Sequence, residues 1–423
     1  MATSTEHGGS ITSLPDMPLP PSPPHIYWTQ RSHSMDNMSV DDMGMHGEAW
    51  VENPCGFGGS QSFTDDSNEI KSERRRWLRW RRCPKSMSAL ERDEQKLFSN
   101  LKTKTYCTHV NVGEEHRIRT LRTTPPNERV KTANPIPIVC LHGMGAAIGF
   151  WALNIDDLAR HRPFFAMDLL GFGNSSRSSF PDDPNEAEQQ FIDTIEDWCE
   201  ELGLKQFILL GHSFGGYLAT AFSIKYPRRI KRLILVDPWG FPRKPDNLEE
   251  RYNINPVKRA VLKIMLKFSP LAAMRALGPL GPCLMKKVRP DLKLKFQSVV
   301  EGDVLYQYIY HCNSKTPASG EYAFMKINDT LGWSKFPLMN RIGDLDSSIR
   351  ITFIYGEDSW MDHDYADSLK ARRQGKVDIK CVSDAGHHVY ADNPSIFNML
   401  VNKACTRTDM EEGHGLNQDM ERN

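Results

Sequence analysis

The feature that most constrains the fold of this 423-residue chain is a short apolar run that leads into a glycine-flanked serine. Residues 207–210 form a run long enough for a buried strand, and the pentapeptide GHSFG follows at 211–215. Apolar residues then recur at near-helical spacing from 218 to 224. Ser213 is therefore predicted to lie in a sharp strand-to-helix turn, where glycines avoid steric clashes and the helix N-terminus favours negative charge. A capping serine in an ordinary turn would give the same pentapeptide, so the rest of the chain has to distinguish a nucleophile from a cap.

Apolar strands and amphipathic helices alternate along the body of the chain. Buried strands are predicted at 136–141, at 163–167, within IKRLILVDPWGF and IRITFIYGED, and at 378–382, after a hairpin at 105–123. This alternation predicts an α/β fold with a mostly parallel central sheet flanked by helices. The segment from about 245 to 340 breaks the rhythm, and it is interpreted as an inserted helical cap over the carboxyl edge of the sheet. Its apolar stripe at 257–268 favours either cap packing or a lipid-facing surface.

Composition divides the chain into a folded body and two tails. Residues 1–70 hold ten acidic residues and one basic residue, Arg31, so they are interpreted as a disordered acidic tail. Residues 406–423 are interpreted as a second disordered tail, which leaves 95–405 as the folded domain. Acidic and basic residues balance at 53 each, and nine cysteines have no CxxC spacing, so neither a nucleic-acid partner nor a metal or other cofactor is expected. No signal peptide or transmembrane run is seen, which favours a cytoplasmic protein.

A basic segment that contains tryptophan lies between the acidic tail and the body. Residues 71–85 hold eight basic side chains and one acid, Glu73, and Trp77 and Trp80 interrupt the arginines. Tryptophan favours the boundary between water and hydrocarbon, and arginine is attracted to anionic lipid. Residues 71–94 are therefore interpreted as an anchor to a membrane or lipid-droplet surface. A nuclear-localisation-like cluster and a solvated linker are the alternatives.

Several motifs occur in a fixed order: LHGMG, AMDLLGFGNSS, GHSFGG, LVDPWGFP, IYGEDSWMD and AGHHVYADNP. In this order they resemble the α/β-hydrolase superfamily, and within it the abhydrolase domain-containing subfamily four/five, from about Trp77 to about Cys405. The resemblance implies an α/β-hydrolase fold with a cap and a serine hydrolase acting on acyl esters of (lyso)phospholipids or neutral lipids. It also implies two alternatives: a lysophosphatidate acyltransferase, and a droplet co-activator that binds a lipase or a droplet-coat protein. The co-activator relative carries Asn at the nucleophile position, so Ser213 favours an enzyme.

A nucleophilic serine needs a base within hydrogen-bond reach, and in this fold the triad runs Ser, acid, His along the chain. His387 follows the last predicted strand, and His388 is the rival without a glycine directly before it. The oxyanion hole is expected to use the backbone N–H groups of Phe214, directly after the nucleophile, and of Met144, in the loop after the first central strand.

The acid is expected after the strand ITFIYG. In many α/β-hydrolases it is the third residue past the glycine, which here is Ser359. The candidates are Glu357, Asp358 and Asp362. The resemblance selects Asp362, because the subfamily carries its aspartate in an element that Trp-Met-Asp matches here, and Asp358 is second.

His387 and Asp392 also form an HxxxxD pattern. The resemblance connects this pattern to lysophosphatidate acyltransferases. The structural interpretation is that Asp392 or Asn393 caps the last helix, with Pro394 at its first position.

Overall fold

The computed structural model describes residues 87–126, 128, 135–245, 271–329 and 333–413. The acidic tail at 1–70, the anchor residues Trp77 and Trp80, and the stripe at 257–268 lie outside the described residues. Among the helices that are described, none is both long and apolar enough to cross a membrane.

Eight strands form one sheet in the described part of the chain. In chain order they are β1 Tyr106–Val112, β2 His116–Arg122, β3 Ile138–Leu141, β4 Phe164–Met167, β5 Phe207–His212, β6 Ile230–Val236, β7 Arg350–Gly356 and β8 Val377–Val382. Their spatial order is β1-β2-β4-β3-β5-β6-β7-β8. The β1–β2 and β2–β4 pairs are antiparallel, and every pair from β4 onward in this order is parallel. The carboxyl ends of β3 to β8 therefore meet at one edge, as the predicted mostly parallel sheet requires.

Helices connect the strands. They are α1 Met87–Phe98, α2 Ile155–Leu158, α3 Pro184–Leu202, α4 Phe214–Lys225, α5 Ala272–Ala276, α6 Gly281–Val288, α7 Asp291–Phe296, α8 Val304–Ser314, α9 Ser319–Ile327, α10 Asp364–Arg372, α11 Val389–Asp392 and α12 Pro394–Glu411. Short 3₁₀ turns occur at Ile148–Leu153, Pro227–Arg229, Gly278–Leu280, Leu338–Asn340 and Ile342–Asp344. The predicted amphipathic helix is α3, which the Asp183 carboxylate caps by accepting from the backbone N–H groups of Asn185 and Glu186.

The central strands β3, β4 and β5 are buried along their whole length, which explains why they are almost entirely apolar in sequence. Phe207 and Leu209 of β5 belong to one core cluster, together with Trp198 of α3. Ile208 and Leu210 belong to a second cluster, together with residues of α8, α11 and α12. The alternation of side chains along a strand sends neighbouring residues into opposite layers.

Helices fill the described part of the segment between β6 and β7, as the predicted cap requires. The Tyr308 hydroxyl of α8 accepts from Gly149 N–H at 2.8 Å, and Asn313 Nδ2 donates to the Gly145 carbonyl at 2.7 Å. Both partners follow the carboxyl end of β3, so α8 packs beside the edge where the parallel strands end.

The folded domain extends beyond both of its predicted ends, residues 95 and 405. Helix α1 begins inside the predicted anchor segment, and it buries Leu90 and Leu97. Helix α12 continues to Glu411, although 406–423 was expected to be a tail, because Asp409 is buried and pairs with Arg162 at 2.8 Å. The last turn of α12 is polar in sequence, so it resembles an exposed tail. It is nevertheless folded, since a paired carboxylate can be buried where an isolated one cannot.

Candidate active site

Ser213 lies in a strained turn between β5 and α4. Its backbone has φ 52° and ψ −119°, in the left-handed range that non-glycine residues rarely adopt. A Cβ added to Gly211 would lie 2.3 Å from the Gly215 carbonyl oxygen, so glycine is required for this sharp turn. The predicted strand-turn-helix is confirmed, and strain of this kind often accompanies a functional position.

His387 lies within hydrogen-bond distance of the serine. Its Nε2 is 3.0 Å from Ser213 Oγ, and its Nδ1 is 2.6 Å from Asp237 Oδ2. An ionised carboxylate can only accept, so Nδ1 carries a proton and donates to Asp237. In the neutral imidazole Nε2 is then the acceptor, as a general base for Ser213 requires.

The carboxylate beside His387 is that of Asp237, not of Asp362, and the predicted acid is corrected accordingly. Asp237 directly follows β6, and its side chain is fully buried. Asp362 is exposed, and its carboxylate accepts from the backbone N–H of Asp364 at 3.0 Å. Asp237 reaches the base because β6 pairs with β5, so the two strands deliver it and Ser213 to neighbouring points of the sheet edge.

The sequence contained a signal for this aspartate. Asp237 directly follows a buried strand in the motif LVDPWGFP, and it lies between Ser213 and His387 in chain order. The acid was expected after β7, which is one strand later in the chain than Asp237. The second candidate there, Asp358, is also exposed, and its backbone N–H donates to the Ala385 carbonyl at 2.9 Å.

The Trp-Met-Asp element that selected Asp362 does lie beside the site, although through other atoms. The ring centroid of Trp360 is 5.3 Å from that of His387, and the tryptophan remains 66% exposed. Met361 N–H donates to Ser359 Oγ at 3.2 Å, and that hydroxyl in turn contacts Asp237 Oδ2. The element therefore packs against the base and holds a hydroxyl near the acid, but it does not supply the carboxylate.

The two backbone donors expected for an oxyanion hole lie on segments that meet at the serine. Phe214 is the first residue of α4, and a Cβ added to Gly143 would lie 3.1 Å from the Cβ of Ser213. The loop that carries Met144 therefore closely approaches the nucleophile. Among the described residues, the backbone N–H groups of Met144 and Phe214 have no hydrogen-bond partner, so both donors are free to bind a ligand.

Two further histidines contact His387, and both are held neutral. Nε2–H of His212 donates to the His387 carbonyl at 2.9 Å, which fixes the backbone of the base. Burial, with the neighbouring His387, lowers the pKa of His212 well below its ordinary value and that of His388 to about 3. A histidine with a pKa of about 3 is a weak base, and among the described residues the imidazole hydrogen-bonded to Ser213 Oγ is that of His387, which favours His387 over His388.

Asp392 of the HxxxxD pattern acts on the base loop and on the cap. Its Oδ2 accepts from the backbone N–H of Gly386 at 2.8 Å, and its Oδ1 lies 2.5 Å from Lys295 Nζ of α7. The side chain that caps α12 is Asn393, whose Oδ1 accepts from Ile396 N–H at 3.3 Å, and Pro394 occupies the first turn. Asp392 therefore orders the segment that carries His387 and ties it to the cap.

Comparison with known proteins identifies the family. Residues 136–268 match the profile of the alpha/beta hydrolase fold family. The chain is 42% identical over 326 residues to (lyso)-N-acylphosphatidylethanolamine lipase from Homo sapiens, a match that covers 77% of this chain and 93% of that protein. It is also 42% identical over 325 residues to 1-acylglycerol-3-phosphate O-acyltransferase from Sus scrofa, a match that covers 77% of this chain and 91% of that protein.

Among solved structures, carboxylesterase CesB from Bacillus subtilis has the same fold, with a TM-score of 0.52 and 14% identity over 74% of this chain and 96% of that chain. The 42% identity to two relatives, over 77% of this chain, shows that it belongs to the α/β-hydrolase family. Within it, the two 42% matches assign the chain to the abhydrolase domain-containing subfamily four/five, as its motifs predicted.

Proposed function

We propose that this protein is a serine hydrolase that cleaves acyl ester bonds of (lyso)phospholipids or neutral lipids at a membrane or lipid-droplet surface. The observation that carries the proposal is the hydrogen-bonded series from Ser213 Oγ through His387 to Asp237, with distances of 3.0 Å and 2.6 Å. A serine hydroxyl becomes a useful nucleophile when a base can take its proton and a carboxylate orients that base.

The proposed reaction has two halves. Ser213 Oγ attacks the acyl carbonyl carbon while His387 Nε2 takes the hydroxyl proton, and the N–H groups of Met144 and Phe214 bind the carbonyl oxygen as it becomes negative. His387 then gives the proton to the leaving alcohol oxygen, which leaves an acyl-serine. Water, activated by the same imidazole, hydrolyses this ester and regenerates Ser213. Asp237 keeps the imidazole in the required tautomer and stabilises its protonated form.

Lipid substrates are supported by the relatives. Two proteins with 42% identity are named as a lipase of N-acylphosphatidylethanolamine lipids and as an acyltransferase of a glycerol phosphate lipid. The two chemistries share an acyl group and differ in the acceptor, since an acyl-serine can react with water or with the hydroxyl of another lipid. The position of Asp392, which bonds to the base loop and to Lys295, supports a structural role for the HxxxxD pattern.

Labelling with a fluorophosphonate probe tests the reactive serine. We expect wild type to be labelled, Ser213→Ala not to be labelled, and His387→Ala to be labelled far more slowly, while His388→Ala stays close to wild type. Release of free fatty acid from lysophosphatidylethanolamine, from N-acyl lysophosphatidylethanolamine and from triacylglycerol should then depend on Ser213 in the same way. A wild-type protein that is folded but neither labelled nor hydrolytic would contradict the proposal and favour the co-activator alternative.

The described part of the cap supports contact with a lipid surface. Four large apolar side chains between 277 and 294 are at least 43% exposed: Leu277, Leu280, Val288 and Leu294. Residues 271–297 also hold six basic residues and a single acid, Asp291. Exposed apolar groups among basic ones match a monolayer that contains anionic lipid.

The anchor is proposed for the part of the 71–94 segment that precedes α1, residues 71–86, and it is tested with vesicles. Trp77→Ala combined with Trp80→Ala should weaken binding to vesicles that contain phosphatidylserine and should release the protein from lipid droplets. Turnover of a soluble short-chain ester should be unchanged, because these residues precede the catalytic fold. The matched control is Trp28→Ala with Trp50→Ala in the acidic tail. Droplet localisation unchanged in the first variant would favour the cap as the anchor.

A further inference from the structure

Ser359 contacts the carboxylate of the triad from the loop after β7. Its Oγ donates to Asp237 Oδ2, the same oxygen that accepts from His387 Nδ1 at 2.6 Å. The direction follows from chemistry, because an ionised carboxylate has no proton to give. The hydroxyl is itself held in place, since it accepts from Met361 N–H at 3.2 Å.

Asp237 depends on such donors because its side chain is excluded from solvent. Its side chain is fully buried, and within the described residues its other oxygen, Oδ1, has no hydrogen-bond partner. A buried carboxylate stays ionised when hydrogen bonds replace solvation, and it adopts one orientation when those bonds come from fixed donors. His387 moves between neutral and charged forms during catalysis, whereas the Ser359 hydroxyl provides a donor that does not change.

We propose that Ser359 is a positioning residue that holds the Asp237 carboxylate in one orientation for His387. The inference rests on the proposed function. Ser359 is the third residue past Gly356, where the fold was expected to carry its acid. In this chain a hydroxyl stands there, and it meets a carboxylate that arrives from the neighbouring strand.

Replacing the hydroxyl tests this proposal. Ser359→Ala should lower kcat on a soluble short-chain ester by about tenfold, as expected for the loss of one hydrogen bond to a charged group. The KM should stay unchanged, because Ser359 contacts Asp237 and lies outside the reacting atoms. Ser359→Thr, which keeps the hydroxyl, should recover most of the activity. The control is Ser347→Ala, the same change at an exposed position near the opposite end of β7.

The pH profile separates positioning from a general structural effect. Without the competing donor, Asp237 accepts more strongly from His387 and stabilises the imidazolium, so the acid limb of the kcat/KM profile should move to higher pH. Tyr355, Tyr365 and Cys381 interact electrostatically with Asp237, and burial raises the pKa of each above its ordinary value. His212 and His388 contact His387, and burial lowers the pKa of each, that of His388 to about 3. None of these groups therefore produces an acid limb near neutral pH. A kcat, pH profile and KM identical to wild type in Ser359→Ala would overturn the positioning role.

A spectroscopic measurement distinguishes failure of this inference from failure of the proposed function. The proton shared by His387 Nδ1 and Asp237 should give a low-field NMR signal that needs no substrate. A shift of this signal in Ser359→Ala, and none in Ser347→Ala, would support the hydrogen-bond network even if no lipid ester were turned over. An unchanged signal in an active enzyme would overturn the inference and leave the hydrolase assignment intact.

Discussion

The loops that follow β6 and β7 both carry aspartates at the same edge of the sheet, but they expose them very differently. The loop after β6 begins with Asp237, which is fully buried and bonded to His387. The loop after β7 carries Asp358 and Asp362, both exposed, and it reaches the site through the Ser359 hydroxyl and the Trp360 ring. A carboxylate supports the base here because of where its strand lies and whether water is excluded from it.

Strand pairing explains the difference. β6 is the neighbour of β5, and Ser213 N–H donates to the carbonyl of Val236, the last residue of β6, at 3.1 Å. Asp237 therefore starts directly beside the nucleophile. β7 lies one strand farther from β5 than β6 does, so its loop must extend over the end of β6 to reach His387. The Ser359 hydroxyl and the Trp360 ring make the contacts from this loop.

The largest expected effect separates the two loops. Asp237→Asn should lower kcat on a soluble ester by about 10⁴-fold, because an amide can stabilise the wrong imidazole tautomer and cannot stabilise the imidazolium. Asp362→Asn should stay within about twofold of wild type, since its carboxylate is exposed and bonds only locally to Asp364 N–H. Steady-state kinetics with melting temperatures as a control would measure both.

The reverse result would restore the prediction made from sequence. If Asp362→Asn were inactive and Asp237→Asn retained activity while folded, the loop after β7 would supply the acid during turnover. Loss of activity in both variants at unchanged stability would show that the two loops act together as one network.

Much of the fold was predictable, because each buried strand and its following turn are local patterns. The run at 207–210 with its glycines predicted β5, the elbow at Ser213 and α4, and the loop after β8 predicted a base that the structure brings to the serine. The acid was not predictable in the same way. Its identity depends on which strands are neighbours, and four aspartates or glutamates follow two different strands at comparable sequence positions.

The predicted end of the folded domain, at residue 405, is wrong for a related reason. Composition marks 406–423 as polar, yet Asp409 pairs with Arg162 across 247 residues of sequence, and Arg232 Nε donates to Thr408 Oγ1 inside the same interface. Because of such pairings, charged residues can be buried. The local sequence does not indicate which distant residue is the partner. The local sequence likewise does not indicate the pairing of Lys295 with Asp392, which joins the cap to the base loop.

The segment after β8, which carries Asp392, should show a smaller effect. Asp392→Ala should reduce kcat by about tenfold and lower the free energy of unfolding by about 1–3 kcal/mol, because Gly386 N–H and Lys295 both lose a buried partner. Asn393→Ala, next in sequence, should lose only a helix cap of about 1 kcal/mol and keep its kcat. Chemical denaturation and ester kinetics would measure the pair.

Hydrolysis and acyl transfer should fall together in Asp392→Ala, since the residue acts through the position of His387. Selective loss of acyl-CoA-dependent transfer to lysophosphatidate, with hydrolysis and stability unchanged, would give Asp392 the transferase role that the HxxxxD pattern suggests.

The smallest effect concerns the histidines around the base. His388 has a pKa of about 3 in the folded protein because burial and the neighbouring His387 oppose its charge, whereas an unfolded histidine titrates near 6.5. Below about pH 6.5 the unfolded chain therefore binds a proton that the folded chain refuses, so the free energy of unfolding falls as pH falls towards 3. Each such histidine contributes a slope of up to about 1.4 kcal/mol per pH unit. His388→Gln should flatten the stability profile between pH 6.5 and 5 by about one proton's slope, while wild-type ester turnover at pH 8 is retained. Denaturant titrations at several pH values would measure this slope, and an unchanged slope would mean that His388 takes up its proton in the folded protein.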